Sequence, residues 1–148
     1  YANQILQLIE SNELEIIPET RKNEVISFIK KGLEDISISR TNERAKNWGV
    51  PVPGDPNQRM YVWFDALNIY QTAAGFDWNP EMYAELWPAD MHVIGKGIIR
   101  FHAVYWPAFL ISAGLKTSKK LFVHEYFTVD GQKMSKSLGN VIDPAELI

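Results

Sequence analysis

A chain of 148 residues is long enough for one ordinary domain with a fair core and too short for several independent ones. With 46% hydrophobic and 22% charged residues it is not a disordered chain, and 15 basic against 18 acidic residues, net −3, exclude coating nucleic acid through bulk charge. It has no cysteine, which excludes disulfides, thiolate metal sites and cysteine nucleophiles within it.

Residues 101–115 form the longest uncharged stretch and fall short of the roughly 20 needed to span a bilayer, so no membrane helix is expected. The first ten residues lack the features of a signal peptide, and Tyr1 in place of a start methionine suggests an excised piece. From Asn3 to Ser11 the apolar residues Ile5, Leu6, Leu8 and Ile9 are spaced for one helix face, as are Val25, Ile26, Phe28 and Ile29 between Asn23 and Lys31. Gly32 stands where a helix would close, and Ile36-Ser37-Ile38-Ser39 alternates as a half-buried strand does. Glycine and proline between Asn42 and Gln58 mark a long irregular connection.

Beyond it, Met60-Tyr61-Val62-Trp63-Phe64 reads as a buried strand, with Asp65 capping a helix from Ala66 to Ala74 that Gly75 ends. The pattern then repeats: His92-Val93-Ile94 is a short strand, Gly95-Lys96-Gly97 a turn, and Ile98 to Ala113 a helix closed by Gly114. Leu121-Phe122-Val123 is a third strand, and Asp130-Gly131 is a strong hairpin-turn signal. Alternating strand and helix imply an α/β fold, a parallel sheet with helices on its faces. Asp143-Pro144-Ala145-Glu146 reads as a helix start, which at the end of the chain suggests a piece of something longer.

Lys133-Met134-Ser135-Lys136-Ser137 is the most specific string in the chain. Two ammonium groups three residues apart in a loop with small hydroxyl neighbours can close on a polyphosphate and neutralise charge on a leaving pyrophosphate. Average residue usage gives the string a chance on the order of 10⁻⁴ in a chain of this length, so a solvated lysine-serine loop explains it poorly. It resembles the K-M-S-K-S signature of class I aminoacyl-tRNA synthetases. Tyr61-Val62-Trp63-Phe64-Asp65-Ala66-Leu67, Trp48-Gly49-Val50-Pro51-Val52-Pro53 and Phe101-His102-Ala103-Val104-Tyr105-Trp106-Pro107-Ala108 are similar, in order, to the methionyl-tRNA synthetase family.

The resemblance covers nearly the whole chain and implies the C-terminal half of a Rossmann-type catalytic domain over residues 35–148, preceded by the helical end of the connective region over residues 1–34. It implies Lys133, Ser135 and Lys136 as catalytic residues, with Gly95, His124, Lys133 and Lys136 at ATP. By the same likeness Trp63, Ala66, Tyr70, Ile98, Phe101 and His102 line a methionine pocket, with Trp106 close behind. A thioether is apolar and polarizable and accepts weak hydrogen bonds, which suits such walls. Ordinary core packing is the competing reading for these aromatics, a buried and satisfied histidine for His124, and a surface ion pair for Arg40, which matches an arginine near the active site.

Two departures stand out. Gly97 occupies a position where the family often has an acidic residue, and the family's H-x-G-H signature is absent, the histidines here being His92, His102 and His124. The resemblance therefore implies a methionine-tRNA ligase using ATP with magnesium, acting on methionine and its tRNA through the full-length enzyme in the cytoplasm, with this chain inactive alone. No metal site is expected in the chain itself. The alternatives are another class I synthetase and a non-catalytic fragment or binding module.

Overall fold

The computed structural model describes residues 1–147. At its centre, Glu15–Ile17 (β1), Lys120–His124 (β6) and His92–Gly95 (β5) form a parallel sheet in the order β1-β6-β5. Ile16 pairs with Leu121 and Ile94 with Val123, and all four are buried on one face, while Val93 and Phe122, paired on the other, are exposed. The helices Ala2–Glu10 (α1) and Glu19–Lys30 (α2) cover the buried face with Ile5 and Ile9 of the one and Val25 and Ile29 of the other, each pair spaced i,i+4. Residues 1–34 thus share one core with the sheet, and their Glu15–Ile17 segment is one of its strands.

The parallel α/β arrangement matches the sequence reading, but two of its three strands are those expected and one is not. Residues 60–64 do not join the sheet: the chain turns helical at Val62, giving Val62–Leu67 (α3) and, after Asn68, Ile69–Ala73 (α4). Trp63, Leu67 and Tyr70 recur at helical spacing inside an apolar run that periodicity over five residues cannot resolve. Asp65 consequently lies within the first turn of α3, where it suits the helix dipole, and does not cap it. Gly75, at φ +104, ends the helical stretch as expected.

The strand expected at residues 36–39 forms later, as Ser39–Thr41 (β2), and leaves Ile36 and Ile38 exposed. The supposed irregular connection contains Pro51–Val52 (β3) and Asp55–Met60 (β4), which with β2 make an antiparallel sheet in the order β2-β4-β3. A short helix, Pro80–Leu86 (α5), follows Asn79, whose side chain accepts from the Met82 amide at 3.1 Å.

After β5 the chain makes a 3₁₀ turn over Lys96–Ile98, a π-helical turn over Phe101–Tyr105, and the helix Trp106–Ser112 (α6). The continuous helix expected here is therefore interrupted where a wider turn changes which side chains face inward. Thr128–Val129 (β7) and Gln132–Lys133 (β8) form the expected hairpin, with both Asp130 and Gly131 at positive φ. At the end, Asp143 Oδ1 accepts from the Ala145 amide at 2.9 Å and starts a single 3₁₀ turn, Pro144–Leu147. No helix among the described residues is long and apolar enough to cross a membrane.

Candidate active site

In an open parallel sheet, ligands meet the carboxyl ends of the strands, because there the loops diverge and backbone amides point outward. Here that edge gathers three loops. Gly95 and His124 are register partners at the ends of β5 and β6, and a side chain begun at Gly95 would already touch the His124 ring at 3.6 Å. His124 is partly exposed and its Nδ1 donates to the Glu125 carbonyl at 2.7 Å, which fixes the ring. The Glu125 carboxylate bridges Lys96 Nζ, at 2.5 Å, and the Arg21 guanidinium, so the turn after β5, the segment after β6 and the first turn of α2 are tied together. Hydrogen bonds from Lys96 and Arg21 hold the Glu125 carboxyl below the usual range, and Glu125 and Glu24 in turn raise Arg21.

Helices α3 and α4 and the π-helical turn after β5 build an aromatic wall. Tyr70 and His102 are joined by a 2.8 Å hydrogen bond between Oη and Nε2, while His102 Nδ1 lies 3.0 Å from the Ile98 carbonyl. A carbonyl only accepts, so Nδ1 carries the proton and Nε2 accepts from the tyrosine. His102 is 1% exposed, and burial keeps it neutral by lowering its pKa against the opposing pull of the Ile98 carbonyl. Burial also raises the Tyr70 hydroxyl. Trp63 stacks on Phe101 at 4.0 Å and 13° and meets His102 edge-on at 6.4 Å. Behind them His92 lies 4.3 Å from the Tyr70 ring; burial, with His102 nearby, takes its pKa down to about 4. The π-helical turn positions this wall: it carries Phe101 and His102 side by side on a stretch held to the sheet core by Ala103 and Val104.

The lysine loop is built differently. Asn140 Oδ1 accepts from the Ser135 amide at 2.9 Å and its Nδ2 donates to the Lys133 carbonyl at 3.2 Å, closing the loop on itself. Ser135 Oγ accepts from the Leu138 amide at 3.3 Å and caps the 3₁₀ turn Lys136–Leu138, which ends on Gly139 at φ +68. Lys136 is exposed, and Lys133 Nζ lies 3.8 Å from the centre of the Tyr126 ring.

Of the residues expected at methionine, Trp63, Tyr70, Phe101 and His102 come together. Ala66 is exposed one turn beyond Trp63, and the Ile98 side chain packs against the sheet core, so Ile98 reaches the group through its carbonyl. Trp106 is 1% exposed and packs on Trp87 and Tyr70, which makes it the floor beneath the wall. Arg40 makes no carboxylate pair among the described residues; it donates to the Ser37 and Ser39 carbonyls at 2.7 Å each and lies over Tyr61. Sequence reading missed Arg21, Glu125 and Tyr126, which no motif marks. Asn140 was visible as the end of the lysine loop string, though its bracing role was not. Among the described residues no group of three or more histidine, aspartate or glutamate side chains is placed to hold a metal ion.

The family model for tRNA synthetases class I (M) matches residues 1–148. The chain is 53% identical over 148 residues to the methionine-tRNA ligase of Mycobacterium tuberculosis H37Rv and 54% identical over 149 to that of Brucella suis, covering 99% and 100% of itself but 28% of each relative. It therefore spans a little over a quarter of the length of these relatives. The crystal structure of the Mycobacterium tuberculosis methionyl-tRNA synthetase bound by methionyl-adenylate superposes with a TM-score of 0.89 over 99% of this chain and 28% of that one. With a match along its whole length, a shared fold and the lysine loop at the sheet edge, the chain belongs to the class I (M) tRNA synthetases.

Proposed function

We propose that this chain supplies the methionine-recognising wall and the lysine loop of a methionine-tRNA ligase. The observation that carries the reading is the presence, in one parallel α/β fold, of a Tyr70–His102 pair walled by Trp63 and Phe101 and of two lysines on a braced loop. In the first step a methionine carboxylate oxygen bonds to the α-phosphorus of ATP as the bond to the bridging oxygen breaks, releasing pyrophosphate. In the second, a terminal ribose hydroxyl of tRNA attacks the methionyl carbonyl and AMP leaves.

Tyr70 and His102, locked to each other and to the Ile98 carbonyl, give the thioether a fixed wall, and Trp63 and Phe101 pack on its methylenes and methyl. Lys133 and Lys136 meet the negative charge that grows on the leaving pyrophosphate. Ser135 acts by shaping the loop, since its hydroxyl is engaged with the Leu138 amide. Gly95 and His124 border the nucleotide. Magnesium would accompany the ATP phosphates and supply charge neutralisation there. The reaction belongs to the cytoplasm, where tRNA is charged. The open sheet face bearing Val93 and Phe122 supports a longer parent, because parallel sheets are normally covered on both sides.

Methionine-dependent exchange of pyrophosphate into ATP tests the reading. The parent that joins this chain to an H-x-G-H segment should exchange, and this chain alone should not. No exchange by the parent with methionine, but exchange with an aliphatic amino acid, would reassign the substrate.

A further inference from the structure

Tyr126 follows β6 and belongs to neither motif, yet it touches both loops. Its ring faces Lys133 Nζ at 3.8 Å and Lys96 Nζ at 5.1 Å from its centre, while a Cβ at Gly97 would lie 2.7 Å from its hydroxyl. That last distance is too short for any side chain at position 97 with the tyrosine in place. We infer that Tyr126 is a positioning residue for the K-M-S-K-S loop, its ring holding Lys133 beside the Gly95–Gly97 turn, and that the missing side chain at Gly97 is what gives its hydroxyl room. The two features explain one another: an aromatic face attracts an ammonium through its quadrupole, and glycine admits the phenol that carries that face. Glu125 holds Lys96 from the other side, so the ring has one lysine braced and one to present.

The inference rests on the proposed function for its catalytic consequence but not for its geometry, and two readouts on the full-length parent separate these. Competitive acetylation, read by mass spectrometry, reports how freely Lys133 moves in the ligand-free protein; methionine-dependent pyrophosphate exchange reports catalysis. Tyr126→Leu should raise Lys133 acetylation about two- to fivefold and lower the exchange rate by a similar factor at unchanged KM for methionine, the span expected of an exposed cation–π contact. Tyr126→Phe keeps the ring and should stay within about twofold on both. Gly97→Ala should shift both readouts in the same direction as Tyr126→Leu by a smaller factor, because the phenol hydroxyl must move while the ring remains. Adding Tyr126→Phe to Gly97→Ala should restore both readouts, since the nearest ring carbon lies at an acceptable 3.7 Å. Unchanged Lys133 labelling in Tyr126→Leu, an unchanged or faster exchange rate in that variant, or no rescue by the double substitution would overturn the inference. A parent that shows the labelling pattern but no exchange at all would instead defeat the proposed function.

Discussion

The aromatic wall and the lysine loop are held by opposite means. Wall residues are fixed by packing: Trp106, Leu67 and Leu110 are nearly solvent-free, and the Tyr70–His102 hydrogen bond is shielded by Trp63 and Phe101. The loop buries almost nothing and is held by short polar bonds from Asn140 and Ser135 to its own backbone. A weak acceptor such as a thioether can be read only in a dry, rigid pocket, whereas ammonium groups that must follow a departing pyrophosphate need a shaped backbone and mobile side chains. Substitutions in the wall should therefore act on stability and affinity, and those in the loop on rate.

The strongest test of that division is Trp106→Ala. Emptying a floor that is 1% exposed should cost about 3–5 kcal/mol, read by urea unfolding of the parent. A loss below about 1 kcal/mol would mean the wall is not held by packing. Next, Lys136→Ala should slow adenylate formation by roughly 10²-fold while leaving methionine affinity and the thermal midpoint unchanged, because the side chain is exposed. Weakened methionine binding at an intact maximal rate would move Lys136 out of the transition-state role.

A third test uses pH. His92 and His102 are held neutral by burial, His92 with a pKa down to about 4, below its value near 6.5 in an unfolded chain. The unfolded state therefore takes up protons first, so stability should be flat above pH 6.5 and fall as pH drops from there toward 4. Asparagine at position 92 should flatten part of that slope, and an unaltered slope would show that other groups cause it. Smallest is Tyr70→Phe: one hydrogen bond to a neutral histidine is typically worth about 1 kcal/mol, so the parent should lose about that much stability in urea unfolding. An unchanged unfolding midpoint would show that the Tyr70–His102 bond does not hold the wall.

The lysine loop and the Asp130-Gly131 turn were legible because they are local: a five-residue string and a dipeptide with positive φ each contain their own signal. The strands His92–Gly95 and Lys120–His124 were legible as apolar runs. Residues 60–64 were misread because the same apolar letters satisfy a strand over five positions and a helix over nine, and burial of Leu67 settles it. Three-residue β1 carries too few letters for any period to show.

Amino-acid order alone determined the family and singled out the lysine string and the wall residues, since these depend on residue type and spacing along the chain. Tertiary structure decided which strand completes the sheet, that Ile98 contributes a carbonyl and Ser135 a cap, and that Arg21, Glu125 and Tyr126 join the site. Those are contacts across many residues of chain, created when β1, β5 and β6 align their carboxyl ends, and no local pattern encodes a meeting that only the closed sheet brings about.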